Sequence, residues 1–203
     1  MHAPYISKRE IWKKADDFRN KYSKNKCPVE IIDIAEIDLR IRIFPLPNLY
    51  TTTGSEAFIT SDFSMIYVEK TQYDHNNKNR LRFSVAHEIG HLILHKDFYE
   101  SIGVRDLDSM LKFLGEIPDE QYSFLETHAN EFAGRVLVEP ALLRDNLEEA
   151  VQMIKRAHLK IHEDNLDGVI RACAQKLSDP FDVSPQVIET RINKEQLTSI
   201  LLS

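Results

Sequence analysis

The segment that most constrains this 203-residue chain is residues 79–95, which repeats apolar side chains at helical spacing and is apolar on most sides. This pattern predicts a helix that is buried in a core. The same helix carries His87, Glu88 and His91, and polar side chains of this kind are costly to bury without partners. The rest of the fold must therefore bring partners to this helix.

The spacing of these polar residues is itself informative, because residues 87–91 read His-Glu-x-x-His. Two histidines four residues apart share one helix face, so both imidazoles can reach one ion, and zinc accepts neutral imidazole nitrogen. Glu88, one step round the helix, can lie beside the metal as a general base. With Val85 at zero on a helical wheel, Ile89 lies about 40° away and both histidines lie about 200–240° away. The apolar stripe and the histidine face can therefore both be satisfied.

A third metal ligand is expected downstream, on a helix predicted for residues 119–138. One face of that helix combines polar with small residues: Glu126, Ala129, Asn130 and Ala133. The small alanines would allow a close approach to the first helix, which would deliver the Glu126 carboxylate to the metal. Asn130 could then hold a ligand in place. Glu131 and His128, on other faces, remain alternative ligands.

His95 lies four residues after His91 and on a similar helix face, so a fourth zinc ligand is conceivable. A fourth protein ligand would fill the coordination position that a catalytic zinc keeps open. We therefore expect His95 to be a supporting or core histidine.

The N-terminal part predicts two helices followed by a small sheet of three strands. A capping box at Ser7 and Glu10 begins a helix over residues 8–22, and Pro28 suits the first turn of a short second helix. The strands are expected at residues 39–43, 57–60 and 65–69. The first strand is expected to stop before Pro45, and the other two form a hairpin.

The remainder predicts a helix-rich chain without a clear linker or repeat. Residues 71–80 are polar and loop-like, and residues 96–121 mix a short helical piece with turn residues. Three further helical segments are expected at residues 141–160, 164–177 and 185–202. We therefore expect one domain over residues 1–203, of class α+β. Its parts are the N-terminal helices and sheet (8–70), the zinc-site helices (78–139) and a helical C-terminal part (140–203).

The charge balance narrows the class of partner. The formal net charge is −6, which speaks against a general binder of nucleic acid or anionic membranes. Residues 141–203 hold eight Lys or Arg against ten Asp or Glu, a poor footprint for DNA phosphates. Residues 1–26 hold eight Lys or Arg against three Asp or Glu. This local positive charge suits a solvated helix face or a surface that contacts an acidic protein partner.

The sequence contains no pattern typical of a membrane span or of a secretory signal. No apolar stretch approaches the ~20 residues that span a bilayer, and the first residues do not resemble a signal peptide. Cys27 and Cys173 are too few to make a disulfide framework. We therefore expect a soluble cytoplasmic protein with no membrane contact.

Two blocks of sequence resemble a known family. The stretch from Arg82 to His95 (RFSVAHEIGHLILH), followed by residues 126–133 and 137–140, is similar to the hallmark of the ImmA/IrrE metallopeptidases. Weaker similarity spans about residues 8–195. The resemblance implies a zincin-like α+β fold, with a small N-terminal sheet, an active-site helix and a helical C-terminal half. It also implies that His87, His91 and Glu126 bind zinc, and that Glu88 is the catalytic base.

The resemblance further implies the function of a zinc-dependent metalloendopeptidase. Its substrate would be a helix-turn-helix transcriptional repressor, so the expected partner is a protein rather than DNA. Residues 97–120 form an extra segment that could cover the cleft, and Tyr99 and Tyr122 within or beside it are candidates for assisting the reaction. The alternative is a non-catalytic zinc-containing regulator, or a toxin–antitoxin or phage component, that binds a repressor without cleaving it. The intact Glu88 argues against that alternative.

Overall fold

Helices dominate the architecture, and a single small sheet completes it. The computed structural model describes residues 3–24, 26–74, 78–158 and 160–202. In these residues the helices are α1 (Lys8–Tyr22), α2 (Ile31–Asp33), α3 (Leu49–Thr53), α4 (Lys70–Asp74), α5 (Lys78–Leu94), α6 (Lys96–Ile102), α7 (Leu107–Glu116), α8 (Asp119–Leu137), α9 (Pro140–Arg156), α10 (Leu166–Phe181), α11 (Pro185–Lys194) and α12 (Thr198–Leu201). The strands are β1 (Arg42–Leu46), β2 (Ala57–Ile59) and β3 (Met65–Glu69). The α+β class predicted from the sequence is thus confirmed.

The chain forms two compact units, Met1–Val136 and Leu137–Ser203. The first unit contains the sheet and the helices from α1 to almost the end of α8. The second contains α9 to α12, with α10 and α11 packed together. The single domain expected over residues 1–203 stays a prediction. Among the described helices, none is both long and apolar enough to cross a membrane.

The sheet has the strand order β1-β3-β2. Strands β2 and β3 pair antiparallel, with Phe58 opposite Tyr67, so the predicted hairpin is confirmed. Its turn is closed by the Asp62 carboxylate, which accepts hydrogen bonds from the Thr60 hydroxyl at 2.6 Å and the Ser64 backbone N–H at 3.1 Å. Strand β1 pairs with β3 in parallel.

The predicted boundaries of β1 were wrong at both ends. The strand begins at Arg42, because Arg40 has a left-handed backbone (φ 58°) and the Ile41 N–H bonds back to the Ala35 carbonyl at 2.8 Å. The strand also continues through Pro45. It is an edge strand hydrogen-bonded to β3 alone, and an edge position tolerates a residue without an N–H.

Two helix predictions also need correction. The second helix begins at Ile31, after a cis Cys27–Pro28 peptide, and continues into a π-helical turn over Ile34–Asp38. The polar segment 71–80, predicted as a loop, contains the end of α4 and the start of α5, while residues 75–77 lie outside the described residues. A tertiary contact explains α4, because the buried Gln72 side chain accepts a hydrogen bond from the Ser84 hydroxyl on α5.

The predicted helices that build the site are confirmed as α1, α5 and α8. Ser7 caps α1, since its hydroxyl accepts from the Glu10 N–H at 3.3 Å. The segment 96–121 is more helical than expected, because it holds both α6 and α7. Beyond Pro140, the helix expected over residues 185–202 is two helices, interrupted near Gln196, whose φ is 58°.

Helix α1 holds α8 through polar contacts. The Arg135 guanidinium on α8 donates two hydrogen bonds of 2.8 Å to the Asp16 carboxylate. One turn away, the Trp12 indole N–H donates to a Glu131 carboxylate oxygen at 2.5 Å. These contacts fix the rotation of α8 about its axis, and with it the face that α8 presents to α5.

Helices α5 and α8 approach each other closely at Gly90. A Cβ atom added to Gly90 would lie 3.2 Å from the Ala129 Cα and 3.2 Å from a Phe132 ring carbon. Ala129 and Phe132 are fully buried, so neither has room to move aside. The close approach that the alanines of α8 predicted is therefore present, and it depends on glycine at position 90.

We expect Gly90→Ala to lower the free energy of unfolding by about 1–3 kcal/mol, because the added methyl group overpacks the contact with α8. The matched control is Gly115→Ala in α7, where an added Cβ meets no atom within 4 Å. That variant should be neutral or more stable by up to about 1 kcal/mol, since alanine favours helix. Urea denaturation measures both, and equal stabilities for the two variants would contradict the close contact.

Candidate metal centre

Four polar side chains meet where α5 faces α8. His87, Glu88 and His91 come from α5, and Glu126 comes from α8. The Nε2 atoms of His87 and His91 lie 3.1 Å apart. The Glu126 carboxylate closes the group, with Oε2 3.2 Å from His87 Nε2 and Oε1 3.4 Å from His91 Nε2. The structure therefore brings together the four residues that the family resemblance implied for this site.

The two alternative third ligands point elsewhere. Glu131 accepts the hydrogen bond from Trp12, on the side of α8 that faces α1. His128 Nδ1 lies 3.2 Å from His95 Nε2. Of the three candidate ligands on α8, Glu126 is the one that the described residues place in contact with both His87 and His91.

The donor atoms suit a metal ion. One nitrogen of His87, one nitrogen of His91 and a carboxylate oxygen of Glu88 lie within 4.8 Å of one another. Glu126 adds a carboxylate that contacts both imidazoles. Two imidazole nitrogens with a carboxylate form a donor set typical of catalytic metal sites, which use three protein ligands. The group can therefore hold a metal ion.

The electrostatics of the group reflect its burial. Burial favours the neutral form of Glu126, but hydrogen bonds from His87 and His91 outweigh it and hold the pKa of Glu126 well below its usual range. Burial likewise opposes charge on His87, yet the hydrogen bond and charge of Glu126 raise its pKa to about 9. Burial lowers the pKa of His91 to about 4. The Glu126 carboxylate and the His87 imidazole thus favour each other's charged form.

Glu88 has a different environment from Glu126. Its side chain is buried, and burial raises its pKa to about 7, although the nearby His87 charge and a hydrogen bond from the Ile59 backbone in β2 act in the opposite direction. A carboxylate with a pKa near neutrality is suited to exchange protons with a reacting group. The small sheet therefore contributes to the site through β2.

Asn130 supports His87 from α8, one turn after Glu126. Its Oδ1 lies 3.0 Å from His87 Nδ1. His87 Nε2 faces Glu126, so the other ring nitrogen, Nδ1, can carry the hydrogen and donate it to Asn130 Oδ1. This hydrogen bond orients the His87 ring. Asn130 thus occupies the supporting position that the face of α8 indicated.

The segment 97–120 contributes to the surroundings of the site. Tyr99 on α6 is buried, with its ring centroid 4.7 Å from that of His91. Beyond α6, the Val104 N–H donates to the Ser61 hydroxyl at 2.8 Å, and the Ser61 N–H donates to the Val104 carbonyl at 2.7 Å. The segment is therefore attached to the end of the hairpin strand β2. Whether it gates access to the centre stays a prediction.

The second tyrosine candidate, Tyr122, lies one turn before Glu126 on α8. Its hydroxyl is 3.1 Å from the Ser55 hydroxyl. Burial raises the pKa of both Tyr99 and Tyr122 above the usual tyrosine value, so both keep their protons and can donate hydrogen bonds.

One contact near the centre did not follow from the sequence, although His95 itself was expected to be a supporting or core histidine. His95 does not join the ligand group. Instead its Nδ1 lies 3.2 Å from His91 Nδ1, and its Nε2 contacts His128 on α8. The available signal was the spacing of His91 and His95 on one face, but the partner His128 lies 33 residues away in sequence. The contact could be found only once α5 and α8 were packed.

A comparison with protein families fits this geometry. Residues 72–193 match the model of the M78 peptidases, described as the IrrE N-terminal-like domain. The chain belongs to this M78 family. The match covers more than half of the chain, includes all four residues of the centre, and confirms the resemblance to the ImmA/IrrE metallopeptidases. A metallopeptidase type of function follows for this M78 chain. No curated protein and no solved structure matches it significantly.

We expect Glu126→Ala to weaken metal binding by more than ~100-fold, because it removes a carboxylate proposed to bind the metal directly. Loss of a residue that only supports a metal ligand typically costs up to about 100-fold. The matched control is Glu120→Ala, an exposed position on the same helix, which should bind metal as the wild type does. Competition with a chromophoric chelator measures both affinities. An unchanged affinity in Glu126→Ala would remove Glu126 from the ligand set.

Proposed function

We propose that this chain is a zinc-dependent endopeptidase in which His87, His91 and Glu126 hold the metal and Glu88 acts as general base. The observation that carries the proposal is the convergence of the two imidazoles and the Glu126 carboxylate within 3.1–3.4 Å, with Glu88 beside them. Membership of the M78 family supports the peptidase chemistry.

Zinc is the proposed metal because of the donor set. Two imidazole nitrogens and one carboxylate are ligands that zinc accepts, and three protein ligands leave one coordination position for the reaction. Bound there, zinc would supply Lewis-acid chemistry, polarising the scissile carbonyl and lowering the pKa of water.

Four residues of the protein have separate roles in the proposed reaction. Glu88 accepts the proton of the attacking water and returns it to the leaving amine, a role that its buried position beside the two histidines favours. The Ile59 backbone N–H holds the Glu88 carboxylate through a hydrogen bond. Asn130 orients His87. Tyr122, protonated and on the face of α8 that carries Glu126, is the better placed tyrosine to donate a hydrogen bond to the developing oxyanion.

The proposed substrate is a helix-turn-helix transcriptional repressor, so the enzyme would regulate transcription by proteolysis. This follows the resemblance to the ImmA/IrrE metallopeptidases, and we accordingly propose a cytoplasmic location. The net charge of −6 favours a protein substrate over the DNA to which a repressor binds. The alternative is a regulator that binds the repressor without cutting it. The buried Glu88, which such a regulator would not require, favours the enzyme.

We expect Glu88→Gln to slow peptide hydrolysis about 10²–10⁴-fold while zinc remains bound, because glutamine keeps the shape of the side chain but cannot accept the proton. The measurement compares zinc-loaded wild type and variant on a purified helix-turn-helix repressor, with products identified by mass spectrometry. Glu120→Gln is the matched control for the same chemical change at an exposed site.

The outcomes separate the two functions. Cleavage by wild type and by Glu120→Gln, but not by Glu88→Gln, supports the proposed mechanism. Full activity in a zinc-loaded Glu88→Gln variant would exclude Glu88 as the base. A stable complex of the wild type with an intact repressor would favour the non-catalytic regulator.

A further inference from the structure

Three buried histidines form a continuous line that starts at the metal centre. His91 Nδ1 lies 3.2 Å from His95 Nδ1, and His95 Nε2 lies 3.2 Å from His128 Nδ1. The first two rings belong to α5 and the third to α8. The three residues are 1%, 1% and 6% exposed, so water competes little for these contacts.

The direction of each hydrogen bond follows from the first ring. A neutral imidazole carries one N–H and one lone pair, on different nitrogens. His91 Nε2 faces Glu126 and His87, so as a metal ligand it needs its lone pair there and its hydrogen on Nδ1. The Nδ1–H then donates to His95 Nδ1, which must carry a lone pair. His95 therefore has its hydrogen on Nε2 and donates it to His128 Nδ1.

We propose that His95 and His128 are positioning residues that hold His91 in the orientation and tautomer required for metal binding. The inference rests on the proposed role of His91 as a ligand. Metal-binding histidines commonly donate their second N–H to a carboxylate, a backbone carbonyl or water. Here the acceptor is another neutral imidazole, whose own N–H is satisfied by a third. The line of histidines thus orients His91 without placing a further charge in a buried site, where an unpaired charge would be costly.

The arrangement also explains why three histidines are tolerated in this part of the core. Each ring has one donor and one acceptor nitrogen, and the line uses both nitrogens of His95. An apolar residue at position 95 would leave the His91 N–H buried without an acceptor. An asparagine there can place its side-chain oxygen near the position of the histidine Nδ1, and would therefore keep the first bond.

Metal affinity provides the first test, with Zn²⁺ and Co²⁺ as probes. We expect His95→Leu to weaken Zn²⁺ binding about 10–100-fold, the range typical of a lost supporting partner. His95→Asn should retain most of the affinity. His128→Leu should have a smaller effect than His95→Leu, because it removes the second bond only. The matched control is His158→Leu, an exposed histidine outside the line, which should bind as the wild type does.

The stability of the metal-free variants separates positioning from simple packing. A packing role would change the free energy of unfolding of the metal-free protein and leave the affinity of the folded protein unchanged. Equal Zn²⁺ affinities for wild type and folded His95→Leu would overturn the proposal, as would equal losses in His95→Leu and His95→Asn. If His95→Leu does not fold, the comparison of His128→Leu with His128→Asn decides in the same way.

Nitrogen-15 NMR of the imidazoles in the Zn²⁺-loaded wild type tests the tautomers directly. We expect the hydrogen on Nδ1 of His91 and on Nε2 of both His95 and His128. A hydrogen on Nδ1 of His95 would overturn the proposal. If the wild type binds neither Zn²⁺ nor Co²⁺, the proposed function itself fails. Tight binding without any effect of the His95 variants refutes the positioning role alone.

Discussion

The close packing of α5 against α8 is the contact on which the candidate centre depends. Gly90 lies between the two candidate histidine ligands, and the absence of a side chain there lets the backbone of α8 approach at Ala129. The approach carries the Glu126 carboxylate to within 3.2 Å of His87, and it also brings His128 to His95. A larger residue at position 90 would therefore disturb the ligand group and its supporting hydrogen bonds together. Contacts from α1 to α8, through Arg135 and Trp12, set the face that α8 presents.

Burial and close contacts explain why the polar groups of the centre differ in pKa. The contacts with His87 and His91 hold the pKa of Glu126 well below its usual range, whereas burial raises the pKa of Glu88 to about 7. Two carboxylates on facing helices thus have different properties, one suited to hold a cation and the other to exchange a proton. His91 and His95 remain neutral because burial lowers the pKa of each. A set of buried polar side chains, each with a partner, is tolerated in the core and available for chemistry.

Long, strongly patterned helices were predicted well, while elements that depend on tertiary partners were not. The helices α1, α5 and α8 follow from apolar periodicity, which reports directly on burial. By contrast, the strand β1 continues through Pro45 because its edge position leaves that residue without a required partner. Helix α4 was predicted as a loop because its sequence is polar, and the contact between Gln72 and Ser84 could not be read from local pattern. Local propensity is a weak guide wherever a distant side chain supplies the stabilising contact.

The same distinction holds for the candidate centre. The sequence by itself determined that His87 and His91 share one face with Glu88 beside them, because helical geometry alone relates residues four apart. Spacing alone left three candidates for the next ligand, since all of them lie on one helix and differ only in the direction they face, and only the family resemblance favoured Glu126. Only the tertiary structure determined which of them contacts the two histidines, by turning Glu126 towards α5, Glu131 towards Trp12 and His128 towards His95. The physical reason is that the rotation of one helix against another is set by packing across the whole interface, from Gly90 to the contacts with α1, and no local pattern contains that information.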